Sequence, residues 1–156
     1  MPPLFSSRRC CVACRLAGKL TIANPGVTVF NGMRNMQVQG GGICAIQGLG
    51  GLGHLAVQYA RKMGFRTVAL SRGTAKKEFA SQLGATDYID TEAHNAAEEL
   101  QKMGGADMIV VTAPNPDIIS PLLGGLAPMG TLRTCRFSFA SSSVCCLQFR
   151  QEIGLW

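Results

Sequence analysis

No acidic residue occurs before Glu78, so the first half of this 156-residue chain carries positive charge alone. Its cations are Arg8, Arg9, Arg15, Lys19, Arg34, Arg61, Lys62, Arg66, Arg72, Lys76 and Lys77. They are scattered over several elements and do not alternate with aromatics, which argues against nucleic acid as a partner. A local anionic ligand accounts for part of the imbalance. No apolar run approaches the ~20 residues that cross a bilayer, so neither a membrane span nor a membrane partner is expected. Charged residues make up only 15% of the chain and apolar ones 47%, far from the disordered class. The length suits one domain with a buried core.

The seven cysteines form no regular framework. Cys10, Cys11, Cys14, Cys145 and Cys146 lie near the ends, and only Cys44 and Cys135 fall in predicted strands. A reducing, cytoplasmic compartment is therefore expected. The opening, with Ser6, Ser7, Arg8, Arg9 and Arg15, faintly resembles a mitochondrial presequence but lacks an amphipathic helix.

What is present is a regular middle between irregular ends. Apolar runs alternate with helical patterns, predicting an α/β, Rossmann-type doubly wound parallel sheet of about five strands with the sixth missing. Ile43–Ile46, Arg66–Ser71, Tyr88–Asp90 and Asp107–Thr112 read as strands, and Gly130–Cys135 as the start of a shortened fifth. Helices are expected after Gly53, from about Thr74 (burying Phe79, Ala80 and Leu83), from Glu92 to Met103 with Thr91 as N-cap, and after Asn115-Pro116. A further helix over 27–34 leads in. Residues 1–24 and 136–156 show no sustained period and are expected to be irregular, leaving 25–135 as the domain.

Gly48-Leu49-Gly50-Gly51-Leu52-Gly53 sits between a predicted strand and a predicted helix. In that setting the first glycine permits a tight turn, the second lets the backbone approach a dinucleotide pyrophosphate, and the third lets helix and strand pack closely. Amides at the helix start, reinforced by its dipole, would hold the anion. About 20 residues on, an NAD site wants a carboxylate for the ribose hydroxyls. The second strand ends instead in Leu70-Ser71-Arg72, with Lys76 a turn later. These cations oppose the dipole of the helix they precede, which favours a role on the extra phosphate of NADP; NAD is the second choice.

Three stretches carry a resemblance: Gly26-Val27-Thr28-Val29-Phe30-Asn31, Ile46–Ala56 around the glycine turn, and Leu83-Gly84-Ala85-Thr86-Asp87-Tyr88-Ile89-Asp90. Over about residues 26–132 the chain resembles the zinc-type medium-chain alcohol dehydrogenase family, above all its NADP-dependent alcohol and aldehyde branch. Zinc-free quinone and enoyl reductases, whose glycine motif is usually richer in alanine, are the alternative kin. The resemblance implies that Thr28 lies near the nicotinamide and that Thr112-Ala113 line the cofactor cleft. It also implies hydride transfer between an alcohol and NADP, with zinc polarising the substrate oxygen.

The departures from that family are large. The domain carrying most catalytic zinc ligands has no counterpart, and Asn24 stands where the last of those ligands would be. Cys11-x-x-Cys14 with Cys10 imitates half of the structural zinc lobe. A site built from Cys10, Cys11, Cys14, Cys145 and Cys146 has nothing to fix its two ends together. The expectation is a truncated, catalytically impaired member that holds a cofactor without the metal; a non-catalytic nucleotide-binding module or an unstable truncated form is the competing reading. Loss of the sixth strand would expose a sheet edge, and a homo-oligomer is one expected state. His54 is expected to pack or cap rather than catalyse, and His94 to sit in the first turn of a surface helix. Neither has the company that nucleophilic catalysis needs.

Overall fold

The structure, a computed structural model, describes residues 23–113, 116–137 and 144–150. Its elements in chain order are α1 (Ala23–Arg34), β1 (Ile43–Gln47), α2 (Gly53–Lys62), β2 (Arg66–Ser71), α3 (Lys77–Leu83), β3 (Asp87–Asp90), α4 (Ala96–Lys102), β4 (Ala106–Val111), a 3-10 turn (Pro116–Ile118), α5 (Ile119–Leu123), β5 (Leu126–Phe137) and β6 (Val144–Arg150). The sheet order is β3-β2-β1-β4-β5-β6, with the first five strands parallel. This is the expected doubly wound α/β sheet. The chain leaves β1 toward β2 and β3, then returns to place β4 on its other side. That reversal opens a crevice beyond the carboxyl ends of β1 and β4.

The central strands are apolar on both faces because helices cover both. On one face Cys44 and Ile46 of β1 pack with Val29 and Met33 of α1, Ala56, Val57 and Ala60 of α2, and Ala80 of α3. On the other, Ala45 packs with Val68, Leu70, Ile109, Leu100 of α4 and Leu122 of α5. Alternation along β1 thus sends successive side chains to opposite layers. The buried Arg133 of β5 donates from Nη1 to Gly32 O of α1 at 2.7 Å, tying that helix to the sheet.

Several expectations need correction. Val144–Arg150 is not irregular: it pairs antiparallel with β5, from Thr131↔Arg150 to Phe137↔Val144. β5 accordingly runs on to Phe137, and the sixth place in the sheet is filled rather than missing. Val, Cys, Leu and Phe suit a strand, and an antiparallel return needs no crossover helix, so a bare β5 edge is paired by the residues that follow. β5 opens at Leu126, after the helix that follows Asn115-Pro116 has ended at Leu123. α3 starts at Lys77, and Phe79 is 44% exposed rather than buried. α4 starts at Ala96 with Asn95, not Thr91, as its cap: Asn95 Oδ1 accepts from Ala97 N at 3.1 Å, and Asn95 Nδ2 donates to Glu98 Oε1 at 3.0 Å. Asp90 explains the delay. Its carboxylate accepts from Glu92 N and its carbonyl from His94 N, holding residues 90–94 in a turn. Among the described residues no helix is long and apolar enough to cross a membrane.

Candidate functional site

The glycine turn lies in the crevice at the reversal of strand order, and backbone bonds hold it from both sides. Gly48 N donates to Leu70 O of β2 at 2.9 Å. On the β4 side, Thr112 N donates to Gln47 O at 2.9 Å, and the Thr112 hydroxyl lies 3.0 Å from Gln47 O and 2.9 Å from Gly48 O. Gly48 has φ +92°, a conformation that costs other residues strain. Gly53 packs so closely that a β-carbon on it would run into the Gly48 carbonyl. Gly50 differs: it is exposed, and a β-carbon there would meet no protein atom within 4 Å. The fold needs glycine at 48 and 53; Gly50 lines the crevice, and the protein leaves room there for a side chain. No side chain caps the start of α2, the kind of helix end at which an anion binds; His54 N already donates to Gly50 O at 3.1 Å.

The crevice is a cavity of about 630 Å³, within the range of small-molecule sites. Gly48, Leu49, Gly50, Ser71, Arg72, Lys76, Thr112 and Ala113 line it. Gly51, Leu52 and Gly53, which lead into α2, are not among the lining residues. Thr28 does not reach it: it is half-buried on α1.

Ser71, buried at the end of β2, and the exposed Arg72 begin the loop to α3, and the side chains of β3 clamp that loop. Gly73 N donates to Asp90 Oδ1 at 2.8 Å, while Gly73 O accepts from the Tyr88 hydroxyl at 2.6 Å. Thr91 N donates to Ser71 O at 3.0 Å. The Asp90 oxygen that faces the loop is thus committed to the amides of Gly73 and Glu92, and the end of β2 itself carries no carboxylate. Arg72 and Lys76 are the charges that this part of the wall presents.

Sequence reasoning missed the far wall. Thr91, His94, Asn95, Ala96 and Ala97 line the cavity from one side, and Asp117, Ile118, Pro121 and Leu122 from another. His94 is not in a helix but precedes α4 and faces the cleft. Gln47, at the floor, was also missed. It is only 3% exposed, yet among the described residues its Oε1 has no hydrogen-bond partner. A buried Gln at the end of an otherwise apolar strand is the signal that could have found it. His54 stays within the glycine turn, its Nδ1 lying 3.1 Å from Gly50 O.

Neither described thiol is exposed to react. Cys44 and Cys135 are both buried, and burial pushes the Cys44 thiol up to about 12. Among the described residues no three His, Cys, Asp or Glu side chains come together to hold a metal. The sites considered from Cys10, Cys11, Cys14, Cys145 and Cys146, and the position of Asn24, depend on side chains outside the described set.

Comparison with known proteins agrees with this geometry. The chain is 61% identical over 107 residues to the alcohol dehydrogenase patD of Penicillium expansum, covering 69% of this chain and 32% of that protein. Its fold matches the alcohol dehydrogenase TADH from Thermus sp. ATN1 with a TM-score of 0.69 at 23% identity, over 78% of this chain and 36% of that one. A zinc-binding-dehydrogenase-like protein from Sinorhizobium meliloti 1021 bound to NADP matches with a TM-score of 0.66 at 25% identity, over 70% and 34%. The chain spans about a third of the length of the relatives it matches. The zinc-binding dehydrogenase family model covers residues 51–147, running past the expected domain end at 135 and into β6. With the glycine turn at the strand reversal and this match over most of its length, the chain belongs to the zinc-binding dehydrogenase family.

Proposed function

We propose that this chain is the NADP-binding unit of an alcohol dehydrogenase or aldehyde reductase-like oxidoreductase, and that it holds the cofactor without turning over alcohol by itself. The observation that carries the reading is one cleft joining the glycine turn to Ser71, Arg72 and Lys76, with no carboxylate at the end of β2. The amides from Gly50 to Gly53 bind the pyrophosphate, and Arg72 and Lys76, beside the Ser71 hydroxyl, take the 2′-phosphate. The adenine then enters the slot between the start of α4 and α5, between the apolar surfaces of Ala96, Ala97, Ile118 and Pro121. The nicotinamide half leaves past Thr112 and Ala113. When bound, the cofactor accepts or supplies the hydride.

Catalytic silence is part of the proposal because Asn24 stands where the resemblance places one of the zinc ligands. The unit is read as one domain, 25–135 with β6 added, that binds neither nucleic acid nor membrane and works in the cytoplasm.

Thermal denaturation and calorimetry with NADP and NAD test the reading. NADP at 100 times its Kd raises stability by about 2.7 kcal/mol, with a smaller rise for NAD at equal concentration. Absence of any shift rejects cofactor binding, and a larger shift with NAD rejects the phosphate assignment. Alcohol-dependent NADP reduction, measured with bound-metal analysis, tests the silence; turnover overturns it.

A further inference from the structure

Gln47 closes β1 where it lines the cleft, and among the described residues its Oε1 makes no hydrogen bond. Strand alternation places it on the same face as Ala45, with Leu70 and Val111 beside it in register. Those neighbours are apolar and offer no donor. Its Oε1 is buried without a partner among the described residues, although the side chain lines the same cavity as Ala96, Ala97 and Leu122. An unpaired acceptor in such surroundings costs the fold stability and persists where something else selects it.

Resting on the NADP reading above, we infer that the Gln47 amide, turning its buried Oε1 into the cavity that the residue lines, recognises the adenine base, accepting from its exocyclic amine through Oε1 and offering Nε2–H to the adjacent ring nitrogen. An amide presents a donor and an acceptor side by side, which matches one edge of adenine. The glycine turn fixes the phosphates immediately after Gln47 in the chain, so a base in the slot between α4 and α5 comes to lie over the floor that Gln47 forms.

The test uses the full chain and its Gln47→Leu variant, with Kd measured by calorimetry for NADP and for adenosine 2′,5′-bisphosphate, which has the base and phosphates but no nicotinamide. Both ligands should bind the variant about five- to tenfold more weakly. The ligand-free variant should melt roughly 2–4 °C higher, since a buried unpaired acceptor is gone. Weaker binding with a higher midpoint is a combination that a structural glutamine would not produce. Unchanged affinities, or a lower ligand-free midpoint, overturn the inference. Gln47→Met, unbranched and close in volume, gives the same readout if leucine disturbs the packing. If wild type binds neither ligand, the cofactor reading itself fails; if wild type binds and the variants bind equally, only the role of Gln47 fails.

Discussion

The two ends of the cleft are built from different materials. At the glycine turn the backbone does everything: one positive φ at Gly48, one close approach at Gly53, and uncapped amides at the start of α2. At the Ser71–Lys76 loop the backbone is held by its neighbours, and side chains line the cavity. The first end is rigid because a larger residue cannot fit; the second is specific because its charges and hydroxyl can be changed without moving the sheet. The turn should therefore fail sterically and the loop electrostatically.

The harshest break is Gly53→Ala. Its β-carbon would strike the Gly48 carbonyl, which the Thr112 hydroxyl holds in place, so the start of α2 must shift away from β1. A loss of about 3 kcal/mol is expected, read as a melting midpoint roughly 6–12 °C lower without ligand. Gly50→Ala sharpens the contrast within the same turn. The new methyl meets no protein atom within 4 Å, so the ligand-free midpoint should stay within about 2 °C. NADP affinity should nevertheless fall at least about tenfold, because the methyl stands where phosphate oxygens approach the amides. A stable Gly53→Ala, or a Gly50→Ala that binds normally, would remove the division of labour between these glycines.

The same division explains what could be read in advance. Sterically imposed features leave fixed residue types in the sequence, so the glycine turn, the parallel strands and their order of alternation were all legible. Features set by tertiary competition were not. Thr91 lost the cap of α4 to Asn95 because Asp90 bends the chain first, an event visible only when β3 is in place. β6 was illegible because Val144–Arg150 has no amphipathic period of its own and becomes a strand by pairing with β5. The far wall of the cleft joins residues from α4 and α5, which pack beside each other on one face of the sheet and share no local sequence pattern. Thr28 was placed by resemblance alone, and it is not among the residues that line the cavity.

At the loop end, Arg72→Ala should raise the NADP Kd about tenfold and leave the NAD Kd within about twofold, since a charge-assisted contact to phosphate is lost and nothing else is touched. The gap between the two cofactors should also narrow as ionic strength rises, because Arg72 is exposed and screened. Equal losses for both cofactors would show that Arg72 reads the shared pyrophosphate instead.

Tyr88→Phe is the mildest change and probes whether the loop depends on its clamp. The hydroxyl gives the Gly73 carbonyl a 2.6 Å hydrogen bond, while Asp90 holds the amide of the same residue. Removing one arm leaves the other, and the ring still packs against the core cluster beside α3. The expected cost is about 0.5–1.5 kcal/mol, and it should appear in ligand affinity more than in global stability, since the loop can loosen without opening the sheet. Amide exchange at Gly73 and Thr74 should quicken, and the NADP Kd should rise roughly threefold. Comparing that rise with the NAD Kd decides what the clamp is for. A rise confined to NADP means that Tyr88 acts by aiming Arg72 at the 2′-phosphate, and a rise shared by both cofactors means that the loop supports the ribose as a whole.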